Sequence, residues 1–240
     1  MAFATPRRCS PLLVVLALLG AGCGAAAATP AKSASAAASP PASSEPVFEA
    51  EAVGPLTKVT ALQVVSVFSY EPGEQLLTPA TEIASFVADA RMNQSYGKEA
   101  LRPLLVTPTP ATLKAAQLLV IAWGPRSEFS LTRAKAVGHS VMREALRMGV
   151  ADLAYAPIAR DQGVTSIAAD EVAAAFVEGA LAEFLEERAA DPAKPFALKH
   201  VAYEAGPAFV QAVSKATSRG VDAAHAGHPD AEGGRIPQEH

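Results

Sequence analysis

Short apolar segments that alternate with helix-like segments constrain the fold of this 240-residue chain more than any other feature. Segments of strand length, rich in Val, Leu, Ile and aromatic residues, lie at 62–69, 103–107, 118–123, 152–157 and 196–204. Helical patterns separate most of them, in the order β-α-β-β-α-β-α-β-α. This order predicts an α/β fold of three layers, with helices on both faces of a mixed, mostly parallel sheet of about five to six strands.

The third strand and the helix after it give the clearest local signals. The segment LLVIAW (118–123) is apolar at every position, which is typical of a central strand buried on both faces. Ser130 is a preferred N-cap residue for the following helix, and Gly149 is a preferred C-cap residue. Further helices are predicted near 79–90, 168–188 and 206–220.

The N-terminal segment has the pattern of an export signal. Arg7 and Arg8 precede an apolar run at 11–20, which is too short to span a bilayer of about 30 Å as a helix. The small residues of GAGC (20–23) resemble a bacterial lipobox, which implies cleavage after residue 22 and lipid attachment to Cys23. An ordinary signal peptide cleaved nearby is the alternative. We therefore expect a protein of the bacterial cell envelope, periplasmic or on the outer surface, that contacts the membrane through Cys23.

The chain is expected to consist of a folded middle between two disordered segments. Residues 23–54 are rich in Ala, Ser and Pro and hold almost no large apolar side chains, so they are interpreted as a disordered tether. Residues 223–240 lack a core pattern and are interpreted as a disordered tail. The folded domain is then 55–222, after a signal peptide at 1–22. Cys9 would leave with the signal and Cys23 would be acylated, so no disulfide is expected.

Composition and motifs give little sign of catalysis. The net charge of −4 creates no overall basic field, so no nucleic-acid partner is expected. The sequence contains no glycine-rich phosphate loop, no GxSxG elbow, and no HExxH or CxxC motif. No catalytic residue, metal or cofactor is therefore predicted.

Two loops that follow predicted strands are candidates for a small-ligand site. The first, WGPRSEFS, contains Gly124 and Arg126, and the second, IARDQGVTS, contains Arg160 and Asp161. Ligands of open α/β sheets bind beyond the carboxyl ends of the strands, which is where both loops should lie. Pro125 has no N–H group to offer an anion, so the first turn is a poor phosphate cradle and is alternatively a simple corner of the fold.

Charged residues form a regular pattern on the helix after the third strand. Lys135, His139, Arg143 and Arg147 lie four residues apart and make a basic stripe that could contact an anionic partner such as lipid headgroups. An ordinary solvated helix face is the alternative. The acidic residues of the long helix near 168–188 are interpreted as a solvated face: Glu178, Glu183, Glu186 and Glu187.

Four segments together resemble a known family. They are LLVIAWGPRSEFSLTRAKAVG, SYGKEA (95–100), EVAAAFVEGALAEF, and LKHVAYE followed by a helix that ends in SRGVDAA. In order and spacing, over about residues 60–222, they are similar to the N-terminal domain of the leucyl aminopeptidase (cytosol aminopeptidase) family. The resemblance implies a three-layer α/β/α domain of macro-domain-like shape.

The resemblance also bears on function. In that family the peptidase activity belongs to a C-terminal domain with two metal ions, and its motifs, such as NTDAEGR, have no match here. The resemblance therefore implies a non-catalytic interaction or assembly domain that binds a protein partner or self-associates. A binding module for a small, nucleotide-like ligand at the strand ends is the alternative. Part of a split metalloaminopeptidase is a third possibility.

Overall fold

The computed structural model describes residues 44–54, 57–69, 99–107, 113–157 and 159–229. The predicted signal peptide, Cys23 and the helix near 79–90 lie outside the described residues. The described strands are β1 (Val47–Glu51), β2 (Leu62–Phe68), β3 (Pro103–Val106), β4 (Gln117–Gly124), β5 (Asp152–Ala156) and β6 (His200–Glu204). The described α-helices are α1 (Leu131–Met148), α2 (Ala169–Ala190) and α3 (Val210–Gly227).

The strands form one six-stranded sheet in the order β1-β6-β5-β2-β4-β3. All neighbours pair in parallel except β3, which runs antiparallel to β4 at one edge. This confirms the predicted α/β fold with a mixed, mostly parallel sheet. LLVIAW lies in β4, one strand in from that edge, and every one of its residues is buried, as predicted.

The three described helices pack against one face of the sheet. Their buried side chains share an apolar cluster with alternate residues of the strands, including Val64 on β2 and Leu119 on β4. Ser130 caps α1 as predicted, because its hydroxyl accepts a hydrogen bond from the Arg133 N–H at 3.2 Å. Gly149 ends α1 with a φ of 66°, the left-handed conformation that favours glycine.

A second apolar cluster is buried on the opposite face of the sheet. It includes Val65 and Val67 of β2 and Leu118 and Val120 of β4. The alternation between the two clusters follows from the strand geometry, in which successive side chains point to opposite faces. The sheet is therefore buried on both faces around β2 and β4.

Two predicted boundaries of the folded domain are wrong. Residues 47–51, which their composition assigns to the disordered tether, form β1 and pair in parallel with β6, from Val47 opposite His200 to Glu51 opposite Glu204. Helix α3 continues to Gly227, beyond the predicted end of the domain at 222. Glu45, just before β1, forms an ion pair with Arg188 of α2 at 2.9 Å and another with His225 of α3 at 3.0 Å. These pairs connect both segments to the rest of the domain. Composition alone misses these segments because each gains its stability from tertiary pairing.

No helix within the described ranges combines the length and the apolar character required to cross a bilayer.

Candidate ligand cavity at the strand ends

A cavity of about 320 Å³ lies beyond the carboxyl ends of three parallel strands. Val53 and Gly54 reach it after β1, Pro157 after β5, and Ala205 and Gly206 after β6. The first residue of α2, Ala169, and the residue before α3, Phe209, also line it. Because β1, β5 and β6 run in the same direction, their carboxyl ends meet here, at the edge where open α/β sheets bind ligands.

The walls of the cavity are largely apolar and partly aromatic. Phe129, Tyr203 and Phe209 contribute rings. Aliphatic side chains complete the wall: Val164, Ile167, Val172 and Val213. Burial raises the pKa of Tyr203 well above its ordinary value, so its hydroxyl stays protonated at neutral pH. Such a lining suits a ligand with a flat, apolar part.

Charged groups lie at the rim of the cavity. The Arg160 guanidinium carbon lies 4.9 Å from the centre of the Phe209 ring, which is within cation–π distance. Asp161 lines the cavity next to it. Helix α2 begins at the cavity with Ala168 as its N-cap, which supplies no side-chain acceptor for the first N–H groups of the helix.

The structure brings together only part of the predicted ligand loops. Arg160 and Asp161 line the cavity, whereas Gly124 and Arg126 are not among its lining residues. The turn after β4 contributes Phe129 instead. Gly124 has a φ of 82°, and a Cβ at this position would lie 3.1 Å from that of Ala100, so the glycine serves a tight corner.

Two buried polar residues near the site are missed by sequence reasoning. Gln162 bonds the loop after β5 to β2. Glu204, the last residue of β6, is 6% exposed and lines the cavity, but neither carboxyl oxygen accepts a hydrogen bond there. Burial raises the pKa of Glu204 to about 7. The only sequence signal for Glu204 is a carboxylate directly after the residues VAY of β6.

Three residues of the predicted basic stripe pair with carboxylates of α2 across the α1–α2 contact, and the fourth, Arg147, pairs within α1. Lys135 binds Glu178 at 2.6 Å, and Arg147 binds Glu144 at 2.6 Å. The other two residues of the stripe both contact Glu183 of α2. His139 Nδ1 lies 2.8 Å from Glu183 Oε2, and Arg143 donates hydrogen bonds to both carboxylate oxygens. The solvated face predicted for Glu183 is therefore wrong, because this side chain is buried under Arg143 and His139. Contact of the stripe with an anionic partner stays a prediction.

Among the residues that the structure describes, two groups of side chains have metal-ligating atoms within 4.8 Å of one another. The first is Glu49, Glu51 and His200, and the second is His139, Glu183 and Glu186. In each group a cation of the chain already engages a carboxylate, because Lys58 binds Glu51 and Arg143 binds Glu183. Both groups are accounted for as ion-pair networks.

No protein-family model and no curated protein matches this sequence. Among solved structures, a mutant of tomato leucine aminopeptidase is similar, with a TM-score of 0.52 and 12% identity over 72% of this chain and 36% of that chain. A Trypanosoma brucei macrodomain is similar with a TM-score of 0.49 and 16% identity, over 72% of this chain and 66% of that chain. An Oceanobacillus iheyensis macrodomain mutant is similar with a TM-score of 0.44 and 15% identity, over 71% of this chain and 90% of that chain. The similarity to the tomato enzyme establishes a shared fold with part of an aminopeptidase, and this chain spans only 36% of its length.

Proposed function

We propose that this chain is a small-ligand-binding module, without catalytic activity of its own, whose site is the cavity at the strand ends. The observation that carries the proposal is the cavity itself. Its volume of about 320 Å³ reaches the range of small-molecule sites, and it lies at the carboxyl ends of parallel strands. Its rim offers opposite charges on Arg160 and Asp161.

The lining favours a nucleotide-like ligand. A flat base would pack against the rings of Phe129, Tyr203 and Phe209. An acidic group would face Arg160 and the first N–H groups of α2, while Asp161 would accept hydrogen bonds from hydroxyl or amino groups. The class of ligand that fits this cavity therefore combines a flat ring, hydroxyl groups and an acidic group, as nucleotides do.

A thermal-shift screen with AMP, ADP and ADP-ribose tests this function. A ligand at 100 times its Kd stabilises the folded state by about 2.7 kcal/mol, so we expect a rise of roughly 5–10 °C in the melting temperature for at least one of them. Arg160→Gln should reduce that rise. Arg147→Gln, a matched change at an exposed arginine that pairs with Glu144 near the end of α1, should leave it intact. No shift with any of the three compounds would count against the function.

A second candidate function is self-association along the edge of the sheet. Strand β3 ends the strand order, and its Leu104 and Leu105 are 40% and 46% exposed. Apolar side chains on an edge strand favour pairing with another chain. Light scattering coupled to size exclusion would show a dimer that Leu105→Lys converts to a monomer. A wild-type monomer at millimolar concentration would remove this candidate.

We also propose that the module is held at a bacterial envelope membrane through lipid on Cys23. The support is the sequence pattern at 20–23 alone. The change Cys23→Ser should move the protein from the membrane fraction to the soluble fraction. Labelled palmitate should also no longer be incorporated.

A further inference from the structure

We propose that Gln162 is the positioning residue of the cavity. Its side-chain amide fixes the loop 159–164 to the end of β2, and thereby sets where Arg160 and Asp161 stand. The inference rests on the proposed ligand site, and it identifies what holds the polar rim of that site in place.

Gln162 is 8% exposed and uses both ends of its amide. Its Oε1 accepts a hydrogen bond from the Phe68 N–H at 2.9 Å, and its Nε2 donates to the Ser66 carbonyl oxygen at 3.0 Å. Pairing between β2 and β5 ends at Val65 opposite Ala156. A primary amide carries the same donor and acceptor as a peptide group. The Gln162 side chain therefore continues the pairing of β2 after β5 has turned away.

The loop itself is short and closely bonded. The Gly163 N–H donates to the Arg160 carbonyl at 2.9 Å, and the Val164 N–H donates to the Ala159 carbonyl at 3.1 Å. Gly163 has a φ of 87°, which allows this tight turn. Ala159 and Val164 are buried against the main apolar cluster, and both line the cavity. Arg160 and Asp161 thus stand between buried anchors, with Gln162 as the side-chain link to the sheet.

A positioning role differs from a simple contribution to stability. Any buried hydrogen bond lowers the melting temperature when it is removed. Only a residue that positions the loop will, in addition, free the local amides of 159–164 and weaken ligand binding while distant elements keep their protection.

Hydrogen exchange on the ligand-free protein tests the proposal, with Gln162→Met as the main variant. Methionine keeps the length of the side chain and loses both hydrogen bonds. We expect amides of 159–164 to exchange at least tenfold faster, and those of α3 to keep their rates. The control Thr217→Val removes a buried hydrogen bond to the Ser214 carbonyl within α3 and should leave the loop unchanged. If the methionine variant does not fold, loop exchange is measured in Gln162→Glu instead. At pH 7 its carboxylate can still accept from the Phe68 N–H but cannot donate to the Ser66 carbonyl.

The same proteins are then titrated with ADP. We expect Gln162→Met to weaken binding at least tenfold and Thr217→Val to leave it unchanged. Unchanged loop exchange in both Gln162 variants would overturn the positioning role, whatever the titration shows. If ADP does not bind wild-type protein but loop exchange rises as expected, the positioning role stands and the proposed choice of ligand falls.

Discussion

At the residue scale, Glu204 is a buried ionisable group at the end of β6. Burial raises its pKa from 4.5 to about 7, and Glu51, opposite it on β1, adds repulsion that Lys58 partly offsets. The Gln63 amide lies beside the carboxyl group and favours its charged form, but not enough to reverse the effect of burial. Folding therefore favours the protonated form. The resulting stability is complete below about pH 4.5 and is lost as the pH rises through about 7.

We predict that Glu204→Gln makes the protein more stable at pH 8, by up to about 3 kcal/mol, because the amide keeps the shape and does not ionise. Urea unfolding at pH 5 and pH 8 measures the difference, which should be small at pH 5. Glu99→Gln changes a largely exposed glutamate and serves as the control. A pH dependence that is the same in wild type and Glu204→Gln would contradict the prediction.

Sequence reasoning at this scale finds exposed polar residues better than buried ones. Arg160 and Asp161 can be found because polar residues follow an apolar strand, and the structure places them at the cavity. Gln162 lies in the same loop, but its hydrogen-bond partners are on β2. One of them, Phe68, is 94 residues away in sequence. The burial of Glu204 likewise depends on its neighbours in the sheet rather than on its own segment.

At the element scale, glycines set the distance between the helices. A Cβ on Gly138 of α1 would lie 2.1 Å from the Phe176 carbonyl oxygen, and one on Gly179 of α2 would lie 2.0 Å from that of Lys135. Gly220 of α3 makes a similar approach, at 2.5 Å, to the Ala174 carbonyl oxygen. The backbones of α1, α2 and α3 are therefore closer than any side chain at these positions would allow.

We predict that Gly179→Ala destabilises the fold by at least about 3 kcal/mol, because the methyl group would meet backbone that cannot move without shifting α1. Thermal or urea unfolding gives the measurement. Gly227→Ala is the matched control, since a Cβ there meets nothing within 4 Å. Equal stability of the two variants would show that the helices can separate at little cost.

Among the described elements, the sequence predicts all three helices and every strand except β1. Caps and apolar spacing locate α1, and the apolar side chains at helical spacing in the long segment near 168–188 are buried in α2. Strand β1 is missed because two of the five residues of VFEAE are glutamates and the segment lies next to an Ala/Ser/Pro-rich one. Its partner β6 supplies the hydrogen bonds that the local sequence does not reveal.

At the scale of the whole molecule, β1 closes the sheet on the side of the cavity. It pairs along its full length with β6, and Phe48 and Ala50 pack against the main apolar cluster. The residues that follow it, Val53 and Gly54, form part of the cavity wall. A domain that began at 55, as the sequence suggests, would lack this wall.

We predict that a chain beginning at residue 55 is less stable than one beginning at residue 44, by about 3 kcal/mol or more. The loss comes from the strand hydrogen bonds to β6 and from exposing the surface that Phe48 covers. Urea unfolding of the two chains, both ending at 229, measures it. Indistinguishable midpoints would mean that β1 adds little to the fold.

The alternation of strands and helices is sufficient to predict the architecture, which is shared with part of tomato leucine aminopeptidase at 12% identity. The cavity could not be predicted in the same way, because it is assembled from loops after β1, β5 and β6 that are far apart in sequence. A fold also does not determine a ligand. The proposed function therefore depends on the cavity and its charges.

Calorimetric titration of AMP, ADP and ADP-ribose into a variant with a large side chain at the cavity wall tests whether this cavity is the ligand site. Ala169→Trp places a large side chain at the cavity wall, whereas Ala189→Trp makes the same change at the exposed far end of α2. We predict that at least one of the three compounds binds wild type and Ala189→Trp with the same affinity, and Ala169→Trp at least tenfold more weakly. Failure of all three to bind wild type, or equal binding to Ala169→Trp, would contradict the assignment of this cavity as the ligand site.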